Sequence, residues 1–572
     1  MRCKTTLAVA STVIFSAGLC GCHRTPSAPA NSADAPASTA PVTSAAVTAT
    51  APAMPLDNQF TVYCSGAACG ASNASTYSGS GVGVWRYNNT TDSPASLNVD
   101  VKGAQEGQTA VLVFSNGEST PTSAPSIPSE LTQATNLHVR SAPKHILNTI
   151  AKLRDLAHGK LLERNLRRAK ALIAARKPIA MNASEPFASI GPVLPQDPPI
   201  LGTKKIWYDT FSKTSPYQTA ASASCKLPGG RNAVFWVDAK ASFASAALAR
   251  FKDTFCGDHG GYARVKEQLG DVWGLNTRAN ADSLISDYPH FQDINIVFLN
   301  VPNTTKWGGY FDSGNNFIKP DQGAVTNRAL VFFINAAGAL ADASYYLSTL
   351  LHELTHMVNF YQRAVSSGVT HDTWLEETSA MMTEDIIVPA VMENGYSIIP
   401  DDRVGPYLAT GGAVSLINWP QLSDPHYDMG GSFGAFLDRR YGTRIYQGLI
   451  RCDGKAAPPS YGCLDKLIHD AGGSGFADES ARFAATIFAA LPADGVPVSF
   501  GYTKLQSGAY ALAPIDVSRF VDQRPQPPAA LGKEFAATSH TYYATTIGPG
   551  QSEFVGSGIV VPPHSAMLLI IK

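Results

Sequence analysis

Tyr345-Tyr346-Leu347-Ser348-Thr349-Leu350-Leu351-His352-Glu353-Leu354-Thr355-His356 joins an apolar run to two histidines four residues apart. Apolar positions recur at helical spacing from Ala343 to Val365, which predicts a helix there. Residues four apart share one helix face, with Cβ atoms about 5–6 Å apart, so both imidazoles can reach one ion. Glu353 sits beside the first histidine, placed to take a proton from water at that ion rather than to bind it. Neutral imidazole binds Zn2+ well, and a carboxylate is a suitable base once the ion lowers the water pKa to roughly 7. The plain alternative is a pair of hydrogen-bonded histidines on a core helix.

An open zinc site needs a third protein ligand. In an HExxHxxGxxH continuation the position of Asn359 would hold a glycine, so the third group comes from elsewhere. A second helix is predicted from Thr373 to Ile387, and it gathers Glu376, Glu377 and Glu384 in an apolar element with Trp374, Leu375, Met381 and Met382.

HExxH followed about twenty residues later by Trp-Leu-x-Glu on a second helix is the gluzincin arrangement. With Gly308-Gly309-Tyr310-Phe311, Leu330-Val331-Phe332-Phe333-Ile334-Asn335, Leu351 to Phe360 and Thr373-Trp374-Leu375-Glu376-Glu377, it resembles the hyicolysin-type (M30) zinc metallopeptidases over roughly residues 230–450. The resemblance implies an α+β fold with a thermolysin-like catalytic domain and one catalytic Zn2+ on His352, His356 and Glu377, with Glu353 as general base. The family motif reads Trp-Leu-Asn-Glu-Gly, so Glu377 aligns with the ligand. Glu376 replaces the usual Asn and remains the alternative. Glu384, about two helical turns after Glu377, could accept a hydrogen bond from a ligand imidazole, with Asp385 as its rival. The segment His426-Tyr427-Asp428-Met429-Gly430-Gly431, ahead of a helix from Ser432 to Arg440, matches the position of an oxyanion donor. Tyr427 takes that role, with His426 as substitute. The resemblance also implies that an extended peptide adds to the edge of Gly308–Phe311, hairpinned to Ala329–Ile334.

The chain has 572 residues with 44 Lys+Arg against 45 Asp+Glu, which gives no case for nucleic acid as a partner. Arg2 and Lys4 precede an apolar run from Leu7 to Leu19, too short to span a bilayer, so residues 1–22 read as a signal peptide. Its end, Leu19-Cys20-Gly21-Cys22, resembles a bacterial lipoprotein box, with Cys22 carrying the lipid and ordinary signal cleavage as the alternative. Export favours disulfides among the remaining cysteines, expected as Cys64–Cys69, Cys225–Cys256 and Cys452–Cys463.

Residues 23–57, rich in Ala, Pro, Ser and Thr, read as a tether. Residues 58–135 read as a small β domain, and 136–199 as a basic helical linker or propeptide region. The catalytic domain is expected over 200–495, and a C-terminal β domain over 496–572. The expected activity is an exported zinc endopeptidase acting on extended peptide or unfolded protein, touching membrane only through Cys22. A surface adhesin that retains the fold is the alternative, and a zinc hydrolase of non-peptide amides would share every catalytic residue.

Overall fold

The computed structural model describes residues 57–127, 156–175, 197–211, 216–274, 283–285, 293–301, 307–319, 325–419, 423–452, 459–525 and 534–572. The expected signal peptide with Cys22, the tether up to residue 56 and much of the basic linker lie outside these residues.

Strands β1 (Thr61–Val62), β2 (Ala71–Asn73), β3 (Thr76–Tyr77), β4 (Gly83–Asn89), β5 (Ala95–Lys102) and β6 (Thr109–Ser115) come first. The middle of the chain supplies β7 (Lys204–Trp207), β8 (Tyr217–Lys226), β9 (Asn232–Asp238), β10 (Ile294–Leu299), β11 (Gly309–Phe311) and β12 (Leu330–Asn335). The last are β13 (His540–Thr546), β14 (Glu553–Val561) and β15 (Ser565–Ile571). Five helices matter here: α1 (Leu156–Ala174), α2 (Ala343–Asn359), α3 (Thr373–Ile386), α4 (Asp424–Tyr441) and α5 (Phe476–Phe488).

The middle strands form one mixed sheet in the order β11-β12-β10-β9-β8-β7. Its inner strands β9, β10 and β12 run parallel and read as continuous Val, Ile and Phe, as strands covered on both faces must. Side chains alternate between two cores. Phe235, Ile296, Phe332 and Ile334 face Leu347, Leu350, Leu351 and Leu354 of α2, while Trp236, Val297, Val331 and Phe333 pack with Leu161 of α1. Antiparallel β11 is the outermost strand on the side of α2 among the described residues.

The two expected β domains are built as one body. β15 lies between β4 and β6, and β13 adds outside β6, so the chain's beginning and end share a five-stranded sheet. A second sheet, β14-β5-β3-β2, covers it. The physical reason is the apolar run Ser565 to Ile571, buried along its whole length, which needs neighbours on both edges and both faces. The sandwich then packs on α5, where Arg86 of β4 pairs with Asp478 in a buried contact that also engages Tyr63.

Cys64–Cys69, Cys225–Cys256 and Cys452–Cys463 stand as disulfides, with Cα–Cα distances of 5.5, 6.4 and 5.5 Å. Among the described residues no helix is long and apolar enough to cross a membrane.

Candidate active site

Helix α2 begins at Asp342, whose carboxylate caps the Tyr345 N–H at 3.1 Å. The expected continuation to Val365 changes character at Phe360, where the backbone passes into a π-helical stretch that ends at left-handed Gly368. With its leucines against the sheet, the opposite face of α2 turns to α3. Thr355 Oγ1 lies 2.7 Å from Thr383 Oγ1 and fixes the two helices together.

This packing brings His352, His356 and Glu377 into one buried cluster whose ligand atoms lie within 4.8 Å of one another. The two Nε2 atoms are 3.1 Å apart, and Glu377 Oε2 is 3.2 Å from that of His352. Imidazole nitrogens facing at that distance repel unless a proton or a cation stands between them. Two neutral nitrogens and one carboxylate oxygen, with one side left open, form a donor set suited to Zn2+.

Each histidine presents Nε2 inward because its Nδ1 is held from behind. Glu384 Oε1 lies 3.0 Å from His352 Nδ1 and also binds Arg403 at 3.4 Å, with its Oε2 at 3.1 Å from the same guanidinium. Glu376 Oε1 lies 3.0 Å from His356 Nδ1 and accepts from Asn359 Nδ2 at 3.1 Å. Thus Glu377 faces both metal-side nitrogens, while Glu376 orients a ring from outside. Asp385, the rival of Glu384, turns away to Arg439 at 2.6 Å.

Burial alone would raise both acids. The charge of His356 and hydrogen bonds from both histidines nevertheless hold Glu377 well below the usual carboxylate range. Arg403 and His352 likewise hold Glu384 down at about 2. Burial opposes a charged His352, but hydrogen bonds to Glu377 and Glu384 outweigh it and keep its pKa near about 9.

Glu353 lines the same cavity as His352. Burial pushes its carboxyl above the ordinary range, opposed by the two histidines. The Phe311 backbone N–H donates to it, and Oε2 has no partner among the described residues. Tyr427 lines one open cavity with Glu353, His352 and Gly309. His426 instead bonds Ser423 at 2.8 Å and packs its ring, tilted, against Trp419.

Tyr427 lies in the first turn of α4, which starts at Asp424 rather than at the expected Ser432. Gly430 and Gly431 do not break the helix. They let it approach its neighbours: a Cβ at Gly430 would meet Met381 Cε at 2.8 Å, and one at Gly431 would meet Arg403 Cδ at 2.8 Å. Gly309 follows the same logic, with Thr349 Cγ2 only 2.8 Å from where its Cβ would stand. Arg403 was not visible in the sequence, since a lone arginine in a short turn carries no motif.

A buried His-His-Glu cluster beside a carboxylate, a tyrosine and the outermost strand of the sheet is compatible with a metal-dependent hydrolase. Residues 213–569 match the family model described as Peptidase M30, and residues 63–129 match a domain of unknown function. The chain belongs to the M30 metallopeptidase family. No curated protein matches it.

Proposed function

We propose that this chain is an exported zinc endopeptidase of gluzincin arrangement that hydrolyses internal bonds of extended polypeptides. The observation that carries the reading is Glu353, a buried carboxylate with one oxygen unpartnered among the described residues, beside three side chains whose donor atoms converge. Zinc, when bound by His352, His356 and Glu377, polarises the scissile carbonyl and acidifies a water. Glu353 Oε2 takes the proton of the attacking water and later delivers it to the leaving amine. The Tyr427 phenol donates to the carbonyl oxygen as charge develops there. Glu384 and Glu376 hold the two imidazoles in the tautomer that turns Nε2 inward.

Substrate pairs with the edge of β11. Asn335 N–H donates to Gly308 O at 2.8 Å, so alternate residues Gly308 and Tyr310 bond to β12. Gly309 then turns its own N–H and C=O to the open edge, beside the catalytic carboxylate. Export, and lipid attachment at Cys22, rest on the apolar run Leu7–Leu19 and the Leu19–Cys22 box.

Chelation tests the reading. Dialysis against a chelator should abolish cleavage of an unfolded protein, and one equivalent of Zn2+ should restore it. Equal cleavage by chelated and zinc-loaded protein would contradict it.

A further inference from the structure

Helix α1 precedes the residues matched to the family, yet it reaches the metal site. Asn165 Nδ2 donates to Phe311 O at 3.0 Å, and Asn165 Oδ1 accepts from Ser313 N–H at 3.0 Å. Phe311 is the next residue after Gly309 whose backbone faces outward from this edge, and Ser313 opens the short helical turn that follows the strand. One side-chain amide therefore stands where a peptide group of an added strand would lie. Since the Phe311 N–H is directed to Glu353, the track open for pairing ends at Gly309.

Beside that stop lies an open cleft, walled by Leu162, Leu166 and Ala169 of α1 and by Phe311, Phe360 and the ligand His356. Its two charged neighbours other than the histidines, Glu376 and Arg363, are engaged elsewhere. Glu376 is held by His356 and Asn359, and Arg363 directs its guanidinium to the Leu449 and Cys452 carbonyls. An apolar side chain entering here loses water contact and strands no buried charge, whereas an acidic one would do both harms.

The helix is integral rather than a removable plug. Leu161 is fully buried among Trp207, Trp236 and Tyr310, Leu172 joins the main core, and Arg168 pairs with Asp312.

We propose that α1 ends the substrate strand and forms a specificity subsite, on the His356 side of the metal, for an aliphatic or aromatic side chain of the bound polypeptide. This rests on the peptide-binding reading above. The half-buried Leu166 controls the size of the subsite, and Asn165 sets where the strand stops.

The test uses the full chain loaded with zinc and a peptide library varied at single positions around one cleaved bond. Cleavage is read by mass spectrometry, and binding of the same fluorescent peptides is read by anisotropy on Glu353→Gln protein. Expected is one position at which Leu- or Phe-sized residues exceed Gly and Asp by about ten-fold or more in kcat/KM and in affinity. Leu166→Trp should move that optimum to smaller residues, and Leu166→Ala should move it to larger ones. Opposite shifts from two substitutions at one site cannot come from misfolding. Selective cleavage that neither substitution moves would overturn the subsite and leave the peptidase standing. Selective binding that both substitutions move, with no cleavage by the parent, would keep the subsite and overturn the peptidase. Absence of peptide binding or of any apolar preference would overturn the subsite outright.

Discussion

Glu376 holds the Nδ1 of His356 at 3.0 Å, on the side of the ring turned away from Glu377. Two adjacent acids on one helix thus serve one histidine from opposite sides, because successive helical residues point about 100° apart. Glu377→Ala should abolish stoichiometric zinc binding. Glu376→Ala should keep the ion and weaken its affinity by about 10–100-fold. Metal titration of both variants checks this, and equal losses would make Glu376 a ligand in its own right.

Tyr427 is buried in the cavity that Glu353 lines, at the start of α4. Removing its hydroxyl deprives the developing oxyanion of one donor. Tyr427→Phe should lower kcat by roughly 10²–10³ while zinc content and KM stay near the parent values. A rise in KM with unchanged kcat would place the phenol in ground-state binding instead.

Zinc loading should depend on pH with a definite sign. His352, raised to about 9 in the metal-free chain, is protonated below that value, and its proton must leave before the nitrogen can bind. Apparent zinc affinity should therefore rise with pH up to about 9 and fall about ten-fold for each unit below it, per proton displaced. Competition against a chelator between pH 6 and pH 9 reads this slope directly, and a flat profile would contradict it.

His540 joins the sandwich to the helical core, with Nδ1 2.8 Å from Tyr407 Oη and Nε2 2.9 Å from Ser480 Oγ. Burial depresses its pKa from 6.5 to about 3. Its unfolded form binds a proton that its folded form refuses, so its contribution is full above about 6.5 and is lost as pH falls towards 3. The loss is up to about 1.4 kcal/mol for each unit. Thermal melting at pH 7.5 and pH 5 should show a steeper decline in the parent than in His540→Gln.

The chemistry was more legible than the architecture. His352, Glu353 and His356 share a short helical spacing that local periodicity exposes, whereas Glu377 on the next helix was reached through the resemblance to the family motif, with Glu376 as its alternative. The sequence-near cysteine couples were readable for the same reason. The sandwich was not, because β15 pairs with strands more than 400 residues away, as in Leu569 opposite Trp85 and Leu112, and nothing local records such a register. Gly430 and Gly431 suggested a loop because their value lies in close helix packing, which only the neighbours Met381 and Arg403 reveal. Asn165 was hidden in a basic amphipathic stretch whose charges say little about its one strand-capping amide.

The most direct measurement compares bound zinc and cleavage of an unfolded protein in the parent chain and in Glu353→Gln. The account predicts close to one zinc per chain in both, with cleavage in the parent alone. Undiminished cleavage by Glu353→Gln, or a folded parent that takes up no zinc when supplied with it, would contradict the account at its centre.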